Sequence, residues 1–432
     1  MRSLDDWLAY ISAQHPSAIA MGLDRVREVF GRMALPALPT VITVGGTNGK
    51  GSTCAMLERI LLESGYRVGL YTSPHLLVYN ERVRIQGEDA DDATLVRGFE
   101  AVEAARGDTQ LTYFEYGTLA AFHAFAHASL DAVVLEVGLG GRLDAVNIVD
   151  ADVAIVVSVD LDHQAFLGPD RESIGFEKAG IFRRDRPAIA WVEEPEAAAS
   201  LREVAAEVGA RLTFAPDKVR IEEIAPEPGD QRVRLATSER RYDLRIALLG
   251  EHQARNLGLA VLAAEFLESR FERIDAETIA RGVASCRWPG RLEEVILPDG
   301  RRVLFDAAHN AEGVEVLAAH FDRTGERPDL LFGVLQDKDA AQMLGRLAPR
   351  AGRIVLTSPA SARARPPQEV AALLGDREGV EVEPDRGRAL DRALALGGDL
   401  LAVCGSIYLI GEIRRELRER FGVPAAATEP LS

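Results

Sequence analysis

One stretch near the N-terminus constrains the fold more than any other part of the chain: Val41-Ile-Thr-Val-Gly-Gly-Thr-Asn-Gly-Lys-Gly-Ser-Thr53. Residues 41–44 are mostly β-branched and predict a buried strand, a glycine-rich loop follows, and apolar residues over 53–63 recur at helical spacing. A strand, a glycine loop and a helix N-terminus form a cradle for anions, because backbone N–H groups and the helix dipole converge there. The stretch therefore predicts a phosphate site.

The loop differs from the common phosphate-loop pattern of glycine, four residues, and Gly-Lys-Ser/Thr. Val44 stands where that pattern has its first glycine, and Gly51 follows Lys50, so the hydroxyls come later, at Ser52 and Thr53. A plain glycine turn between a strand and a helix would explain the glycines. It would not explain a lysine placed where it reaches outer phosphates, so we predict a nucleoside triphosphate as the ligand.

Composition excludes several classes of partner. A formal charge of −17 argues against binding to nucleic acid or to an anionic membrane. No apolar stretch approaches the ~20 residues of a membrane helix, and no signal peptide is evident at the N-terminus. The three cysteines, Cys54, Cys286 and Cys404, are widely spaced and show no metal-knuckle pattern. A cytoplasmic enzyme with reduced thiols, without a membrane or nucleic acid partner, is expected.

Strand and helix signals alternate along most of the 432 residues, which predicts α/β architecture with parallel sheets. Strands are predicted at 67–71, 131–137 and 152–159, and again at 303–305, 330–334, 353–357 and 400–403. Residues 217–247 break this rhythm and predict a small antiparallel insert. We therefore predict an N-terminal P-loop ATPase domain (1–290), a smaller Rossmann-like C-terminal domain (291–420) and a flexible tail (421–432).

Polar side chains follow several predicted strands of the first domain. Ser73 comes after the strand at 67–71, Glu136 closes the strand at 131–137, and Asp160, Asp162 and His163 follow the next strand. In open parallel sheets, ligands bind beyond the carboxyl ends of the strands. Hydroxyl, carboxylate and imidazole groups near a phosphate cradle suit a hard divalent cation, and Mg²⁺ is the expected ion.

Other polar residues allow more than one interpretation. Lys178 by itself is better explained as a solvated lysine paired with Glu177 or Glu172 than as a functional residue. His123 and His127 stand four apart on a predicted helix, but no third ligand is near, so packing or surface exposure explains them better than a metal. In the second domain, Asp306 ends a strand and is followed by His309, which can hold a nucleotide or orient a substrate, while Asn310 caps the next helix.

With these residues in place, the chain resembles the folate-pathway ligases of the Mur ligase superfamily over almost its whole length. The motifs that carry this resemblance are Gly46-Thr-Asn-Gly-Lys-Gly-Ser52, Ser73-Pro-His-Leu76, Tyr79-Asn-Glu-Arg-Val-Arg84, Leu111-Thr-Tyr-Phe-Glu-Tyr-Gly117, Leu135-Glu-Val-Gly-Leu-Gly-Gly-Arg-Leu-Asp144, Glu177-Lys-Ala-Gly-Ile181, Pro289-Gly-Arg291, Asp306-Ala-Ala-His-Asn310 and Cys404-Gly-Ser406. The unusual phosphate loop is the form found in this family.

The resemblance implies an ATP-dependent reaction that joins L-glutamate to 7,8-dihydropteroate or to a folate through an acyl phosphate. It implies ATP contacts from both domains, at Thr47, Asn48, Gly49, Lys50, Gly51, Ser52, Asn256, Arg291, Asp306 and His309. It also implies two Mg²⁺ ions, with Ser73, Glu136, His163 and a carbamylated Lys178 as ligands. Lys50, Lys178 and His163 are the expected catalytic residues.

The resemblance further implies where the pterin or folate binds. The expected contacts are Met21, Gly22, Thr112, Tyr113, Phe114, Glu115, Leu143, Asp144 and Ala145. Two positions differ from the family pattern: Ala20 stands where an acidic residue is frequent, and Ala307 stands where glycine is usual. An alanine at 307 would disfavour a positive φ at that position.

Three alternatives remain from the sequence. The enzyme could extend glutamate tails on folates without making dihydrofolate, although the segments at 111–117 and 143–145 resemble the bifunctional type. It could be a cell-wall amino-acid ligase, but only about 40 residues precede the phosphate loop, too few for a typical extra domain. It could also bind a nucleotide without ligase chemistry. A monomer is expected.

Overall fold

The computed structural model describes residues 2–15, 20–227 and 229–423. Its contacts divide the chain into two compact units, Met1–Ala247 with Gln253–Cys286, and Leu248–His252 with Arg287–Ser432. The division thus falls close to the predicted one at residue 290, although the assignment of domains stays a prediction. Of the predicted tail, residues 424–432 lie outside the described residues.

The first unit is built on an eight-stranded sheet with the order β4-β3-β2-β5-β1-β6-β7-β8. The strands are β1 (Thr40–Gly45), β2 (Val68–Tyr71), β3 (Val83–Ile85), β4 (Glu88–Asp89), β5 (Ala132–Glu136), β6 (Val153–Val156), β7 (Pro187–Ala190) and β8 (Arg211–Phe214). Six strands run parallel, and β3 and β4 form an antiparallel hairpin at one edge. The predicted α/β class is confirmed.

The central strands of this sheet are buried along their whole length. All six residues of β1 and all five of β5 are buried, and the two strands pair in parallel from Thr40 with Ala132 to Val44 with Glu136. Strands that are covered on both faces are continuously apolar, and this explains why valine, isoleucine and leucine dominate them. Polar groups become available only where the strands end.

Helices cover this sheet. They are α1 (Leu4–Ser12), α2 (Asp24–Met33), α3 (Lys50–Glu63), α4 (Asp92–Arg106), α5 (Tyr113–His127), α6 (Gln164–Leu167), α7 (Arg171–Ala179), α8 (Pro195–Val208), α9 (Glu251–Leu267) and α10 (Ala276–Ser285). Several begin at a side chain that accepts a backbone N–H of the first turn, as Ser3, Thr112 and Asp170 do. Such caps fix where a helix begins.

The predicted antiparallel insert forms a separate three-stranded sheet of β9 (Arg220–Glu227), β10 (Asp230–Ala236) and β11 (Arg241–Ile246). Buried and exposed residues alternate along β10 and β11, as the alternating sequence predicts for a sheet with one solvated face.

The second unit contains a six-stranded sheet with the order β12-β13-β17-β14-β15-β16. The strands are β12 (Glu293–Ile296), β13 (Arg302–Asp306), β14 (Asp329–Phe332), β15 (Ile354–Leu356), β16 (Val380–Val382) and β17 (Leu400–Cys404), and the helices are α11 (Ala311–Thr324), α12 (Ala340–Leu347), α13 (Pro367–Ala372), α14 (Arg386–Ala395) and α15 (Ile407–Phe421). Strand β12 runs antiparallel to β13 and the others are parallel. The short edge strands β12 and β16 were not predicted.

Within the described residues, no helix has both the length and the apolar character needed to cross a membrane.

Candidate active site

The predicted site residues of the first unit lie where adjacent parallel strands end. Across the strand order β2-β5-β1-β6, the carboxyl ends lead in turn to Ser73, to Glu136, to the loop at 46–50 and to Asp160. Because parallel strands end at the same edge of a sheet, segments far apart in sequence form one polar rim. The structure thus brings together the hydroxyl, the carboxylate and the glycine loop.

The glycine loop has the conformation that an anion cradle needs. Gly46 and Gly49 have φ values of +148° and +87°, and α3 begins directly after Gly49, at Lys50. The Lys50 ammonium donates to the carbonyl oxygens of Gly46 and Thr47, each at 3.0 Å. The lysine therefore lies against the loop whose N–H groups and helix dipole favour phosphate.

The loop is fastened to the segment that follows β6. Thr47 Oγ1 donates to the Asp160 carbonyl oxygen at 3.1 Å and accepts the Asp160 N–H at 3.0 Å. The Asn48 N–H donates to Ser158 Oγ at 3.0 Å. These bonds hold Thr47 and Asn48 in a fixed conformation, so the cradle is preorganised. Ser158 was not predicted, because the sequence predicted a strand through residue 159, whereas β6 ends at Val156 and Ser158 lies in the segment after it.

Helix α9 contacts the same loop through two buried amides. Asn256 Nδ2 donates to Gln253 Oε1 at 2.9 Å, and Gln253 Nε2 donates to Ser52 Oγ at 3.2 Å. A Cβ added to Gly49 would lie 2.5 Å from Asn256 Oδ1, so the loop and α9 are in direct contact. Gln253 was missed, although its spacing of three from Asn256 places both on one helix face.

Glu136 and Ser73 offer oxygen ligands beside the loop. Glu136 is 6% exposed, and its Oε2 accepts the Ser73 N–H at 3.0 Å. Among the residues that the structure describes, no group of three or more His, Cys, Asp or Glu side chains is arranged for a metal ion. Mg²⁺ needs no such group, since it commonly keeps several waters and binds one carboxylate plus substrate phosphates. The hydroxyl and carboxylate therefore fit Mg²⁺ held together with a nucleotide.

His163 and the two aspartates near it have different surroundings. His163 has a left-handed backbone, with φ 51°, directly before α6, and its side chain is one-third exposed. The Asp162 carboxylate accepts the His163 N–H at 2.9 Å. The Asp160 carboxylate forms an ion pair with Arg171 at 2.6 Å. The charge of Asp160 is thus already compensated by Arg171, whereas one-third of the His163 side chain is exposed to solvent.

Lys178 is not the solvated lysine that the sequence alone allowed. It lies in the last turn of α7 and is only 3% exposed. Glu177, which we considered as its partner, instead pairs with Arg142, with Nη2 and Oε1 2.7 Å apart. A buried lysine is uncommon, and its burial favours a functional role over a surface one.

The first two predicted pterin segments are joined by an arginine. Glu115 and Thr112 form a capping box at the start of α5. Arg25 Nη2 donates both to Glu115 Oε1 and to the Ala20 carbonyl oxygen, each at 2.8 Å. Arg25 thus holds the segment that contains Met21 and Gly22 close to Thr112 and Glu115, and it was not predicted.

The third predicted pterin segment lies beside the second. A Cβ added to Gly138 would lie 2.7 Å from Phe114 Cζ and 3.3 Å from Asp144 Oδ2. Asp144 accepts the N–H groups of Leu139 and Val146 at 2.8 and 3.0 Å. Burial raises the pKa of Asp144 to about 6, against the opposing effect of these N–H groups. A buried carboxyl beside an aromatic ring can accept hydrogen bonds from the N–H groups of a heterocycle.

Tyr113, Leu143 and Ala145 belong to the same two segments. Tyr113 begins α5, Leu143 packs against the hydrophobic core, and Ala145 begins a short 3-10 turn, Ala145–Ile148. The structure therefore groups the residues predicted to bind the pterin, although their role stays a prediction.

In the second unit, two carboxylates hold the turn that carries Arg291. Asp306, at the end of β13, accepts the Leu292 N–H at 2.9 Å, and Glu293 accepts the Gly290 N–H at 2.8 Å. Leu292 has a positive φ of 46°, which is costly for a branched residue, so the surroundings must impose it. Burial raises the pKa of Asp306, although Arg291 opposes this effect. Glu293 was not predicted.

The residues after Asp306 have the expected local roles. His309 Nδ1 lies 2.8 Å from the Ala307 carbonyl oxygen, which orients the imidazole. Asn310 caps α11 by accepting the Gly313 N–H at 2.9 Å, so the predicted cap is confirmed. Ala307 is not among the described residues with a positive φ, and its methyl group therefore causes no backbone strain.

The histidine pair on α5 has a structural explanation. The rings of His123 and His127 have centroids 4.4 Å apart, and His127 Nδ1 is bonded to the His123 carbonyl oxygen at 2.8 Å. The pair stacks along one face of the helix, which agrees with packing or surface histidines.

Two models of protein families match the chain. The Mur ligase middle domain matches residues 44–264, and the Mur ligase glutamate ligase domain matches residues 290–407. The first match begins in β1 and covers the phosphate loop, Ser73, Glu136, His163 and Lys178. The second covers Arg291, Asp306 and His309.

Curated and solved proteins are similar over almost the whole chain. The dihydrofolate synthase/folylpolyglutamate synthase of Escherichia coli (strain K12) is 40% identical over 423 residues, which is 96% of each protein. A structure of E. coli FolC in complex with DHPP and ADP has a TM-score of 0.87 at 38% identity and covers 97% of this chain and 98% of that one. A structure of a bifunctional folylpolyglutamate synthase/dihydrofolate synthase with Mn, AMPPNP and L-glutamate bound has a TM-score of 0.85 at 37% identity, with 97% and 98% covered.

Proposed function

The chain belongs to the Mur ligase family, and from this premise we propose that it is an ATP-dependent ligase that adds L-glutamate to 7,8-dihydropteroate and to folates. Mur ligases form carbon–nitrogen bonds at the expense of ATP. Relatives that are 32 to 40% identical over 96 to 97% of the chain carry both activities in their names, whereas others are named as folylpolyglutamate synthase alone. The substrates predicted from the sequence therefore agree with the activities in the names of these relatives.

One observation carries the proposal. The glycine loop with Lys50, the Glu136 carboxylate and Ser73 follow three adjacent parallel strands, and the Ser73 N–H is bonded to Glu136. The segments predicted to contact the pterin are grouped in the same unit through Arg25 and Phe114. A phosphate cradle, oxygen ligands and a pocket for a heterocycle are what the transfer of a phosphoryl group to a pterin acid requires.

In the proposed reaction, the carboxylate of the acceptor attacks the γ-phosphate of ATP, which gives an acyl phosphate and ADP. The amine of L-glutamate then attacks the acyl carbon, and phosphate leaves. Lys50 and the loop N–H groups stabilise the charge on the transferred phosphoryl group. Thr47, Asn48 and Gly49 keep those donors in place, so that little reorganisation is needed at the moment of reaction.

Ser73, Glu136 and His163 would hold Mg²⁺, with Lys178 as a further ligand in carbamylated form. A bound Mg²⁺ offsets the repulsion between the triphosphate and the incoming carboxylate. A solved relative has Mn and AMPPNP bound, so a divalent metal and a nucleotide analogue are bound together by that protein. The number of ions, two, is part of the proposal.

Carbamylation of Lys178 by CO₂ has a physical reason. A bare ammonium about 4 Å from a divalent cation would be repelled by roughly 8 kcal/mol at an effective dielectric constant near 20. Carbamylation replaces the positive charge with a negative one and reverses this effect. With ¹³C-labelled bicarbonate at pH 8, wild-type protein should give a carbamate NMR signal that Lys178→Ala lacks. The alanine variant should also lose nearly all turnover, and an active variant would refute the role.

The function is tested by a coupled assay of ADP release in which the substrates are omitted in turn. With ATP and Mg²⁺ present, ADP should form steadily when dihydropteroate and L-glutamate are added together, and not when both are absent. Replacing dihydropteroate by a reduced folate separates the bifunctional enzyme from one restricted to tail extension. If the protein binds the nucleotide but releases no ADP in any of these mixtures, the ligase function is wrong, and a nucleotide-binding module without ligase chemistry is the remaining interpretation.

A cytoplasmic location is also proposed, from the free thiols of Cys54, Cys286 and Cys404, together with a monomeric state. Size-exclusion chromatography with light scattering measures the second.

A further inference from the structure

Arg82 is a buried cation whose charge no protein group compensates. It closes the short 3-10 turn Tyr79–Arg82 and is only 8% exposed. Its Nε donates to His75 Nδ1 at 2.9 Å, and the guanidinium lies 5.3 and 5.5 Å from the ring centroids of Tyr79 and Tyr113. Within residues 2–15, 20–227 and 229–423, no carboxylate lies within ion-pair distance of this guanidinium.

The histidine cannot supply the missing negative charge. A ring nitrogen that accepts from an arginine carries no proton, so His75 is neutral and donates only from Nε2. The two tyrosine rings contribute attraction through their faces, but they remain neutral as well. Among the residues that the structure describes, only His75 bonds to the Arg82 guanidinium, through Nε, and the two terminal nitrogens have no partner there.

The carboxylates of Glu81, which precedes Arg82 in the sequence, and of Glu136 at the end of β5 both accept backbone N–H groups. The Glu81 side chain accepts the N–H groups of Leu76, Leu77 and Val78 at 2.6 to 2.8 Å, and it thereby shapes the turn that leads to Arg82. Glu136 accepts the Ser73 N–H.

Arg84, two residues further along, shows the usual arrangement. Its guanidinium forms an ion pair with the fully buried Glu58 at 3.2 Å and lies 3.8 Å from Asp89. Buried charges in proteins are normally paired in this way, because the removal of an unpaired ion from water is costly. The difference between Arg84 and Arg82 indicates that the counter-charge of Arg82 comes from outside the protein.

The surroundings of Arg82 indicate what kind of anion binds. His75 belongs to the loop that also carries Ser73, one of the proposed Mg²⁺ ligands, and Tyr113 belongs to the segment proposed to bind the pterin. A planar guanidinium with two free terminal nitrogens matches the two oxygens of a carboxylate. The rings of Tyr79 and Tyr113 pack edge to face, with centroids 5.9 Å apart, and lie next to the guanidinium. Aromatic surroundings suit an anion attached to an organic molecule.

We propose that Arg82 binds a substrate carboxylate beside the rings of Tyr79 and Tyr113, as a subsite of the proposed ligase. The proposal rests on the proposed function for the identity of the substrates. The carboxylate belongs either to the acceptor, dihydropteroate, or to the incoming L-glutamate, and the two sources are separated by experiment.

The kinetic test compares Arg82→Met, which removes the charge, with Arg82→Lys, which keeps the charge without the planar fork. For Arg82→Met we expect KM for one carboxylate substrate to rise about 10- to 100-fold, as for the loss of a charge-assisted hydrogen bond, while KM for ATP stays within about threefold. Arg82→Lys should recover part of the loss. A rise confined to L-glutamate assigns the subsite to glutamate, and a rise confined to dihydropteroate assigns it to the acceptor.

The matched control removes a neighbouring buried arginine together with its counter-ion. In Arg84→Met/Glu58→Gln both partners of the buried ion pair are replaced, and the carboxylate of Asp89 that also lay near Arg84 is exposed to solvent, so no buried charge is left unpaired. All three KM values should then stay within about threefold of wild type. The proposal would be overturned if the control raised the KM values for L-glutamate and dihydropteroate as much as Arg82→Met does. It would also be overturned if Arg82→Met changed neither of these two KM values.

A binding measurement keeps the test independent of turnover. The melting temperature of each variant is measured alone, with L-glutamate and with dihydropteroate. Without ligand, Arg82→Met should melt at or above the wild-type temperature, because it loses an uncompensated buried charge. The stabilisation by the carboxylate ligand should disappear. A large loss of stability without ligand would make Arg82 a structural residue and contradict the proposal.

The two measurements also distinguish the failure of this proposal from the failure of the proposed function. If wild-type protein releases no ADP with any substrate mixture, the ligase function is wrong. In that case a carboxylate that stabilises wild type but not Arg82→Met still supports the subsite, and one that stabilises both equally refutes it.

Discussion

At the scale of single residues, Gly49 decides whether the glycine loop can form. Gly49 has a φ of +87°, and a Cβ there would lie 2.5 Å from Asn256 Oδ1 and 2.7 Å from Val157 Cγ1. Both the backbone conformation and the close contact therefore require glycine. Lys50 follows at once as the first residue of α3, so the conformation of Gly49 determines where the ammonium lies.

We expect Lys50→Ala to lower kcat by roughly 10²- to 10³-fold, because one charge that stabilises the transferred phosphoryl group is lost. Its side chain bonds only to loop carbonyl oxygens, so the far-UV circular dichroism should not change. The measurement is the rate of ADP release at saturating substrates. The control is the exposed Lys218→Ala, which should retain the wild-type rate. Similar rates in both variants would contradict the role of Lys50.

At the scale of elements, a polar cluster joins the N-terminal helix to the body of the first unit. Tyr10 of α1, Arg106 of α4 and Tyr116 of α5 all bond to the carboxylate of Glu103 on α4, at 2.6 to 2.9 Å. Burial acts to raise the pKa of Glu103, but the bonds from Arg106, Tyr116 and Tyr10 outweigh it and lower the pKa to about 2. The ionised carboxylate is thus the centre of a contact among three helices.

Glu103→Gln should therefore destabilise the protein in a pH-dependent way. Since the folded pKa lies below that of the unfolded chain, the stabilisation by Glu103 is fully present above about pH 5 and is lost as the pH falls towards 2. The difference in free energy of unfolding between wild type and Glu103→Gln should shrink over this range. Urea unfolding at pH 7, 5 and 3 measures it. A difference that is constant across these pH values would contradict the argument.

A second contact between elements positions the turn that carries Arg291. Arg414 on α15 has a side chain that is 2% exposed, forms an ion pair with Glu293 at the start of β12, and lies 5.6 Å from the Phe305 ring centroid. Glu293 in turn accepts the Gly290 N–H. The last helix of the chain therefore supports a turn that precedes the sheet.

Arg414→Met should lower the free energy of unfolding by about 3 to 5 kcal/mol, because it leaves the carboxylate of Glu293 buried without its partner. Arg420→Met, on the same helix but in a more exposed ion pair with Glu416 and Asp391, should cost less than about 1 kcal/mol. Urea unfolding compares the two. If both variants lost the same free energy of unfolding, burial of the Arg414–Glu293 ion pair would not explain its contribution.

At the scale of the whole molecule, each of the two units has its own hydrophobic core. Leu135 and Phe122 belong to the core of the first unit, and Leu344, Phe332 and Phe321 belong to the core of the second. A cavity in one core should therefore lower the stability mainly of the unit that contains it.

We expect Leu344→Ala to destabilise the second unit by about 2 to 5 kcal/mol, since Leu344 is 1% exposed and leaves a cavity. Native-state hydrogen exchange should show faster exchange of the amides in β14 and β17, while the amides in β1 and β5 keep their protection. Loss of protection to the same extent in both sheets would show that the two cores unfold together.

Much of the local structure follows from the sequence, because its causes are local. The apolar runs at 131–137 and 400–403 form buried strands, the side chains of Asp275 and Asn310 begin helices, and the glycines around Lys50 form the predicted loop. Each depends on backbone conformation or on hydrogen bonds within a few residues. The short edge strands β12 and β16 were missed, since three or four residues give too weak a pattern.

The tertiary structure alone decided which charges are compensated. The sequence Glu-Arg-Val-Arg contains Arg82 and Arg84 in similar local surroundings. Only the fold pairs Arg84 with the carboxylate of Glu58, whereas no carboxylate among the described residues pairs with Arg82. It likewise buries Lys178 and joins Glu293 to Arg414. These pairings connect residues far apart in sequence, and their energies depend on burial, which no local pattern encodes. The sequence by itself therefore determined the elements and the phosphate loop, whereas packing decided the electrostatics of the site.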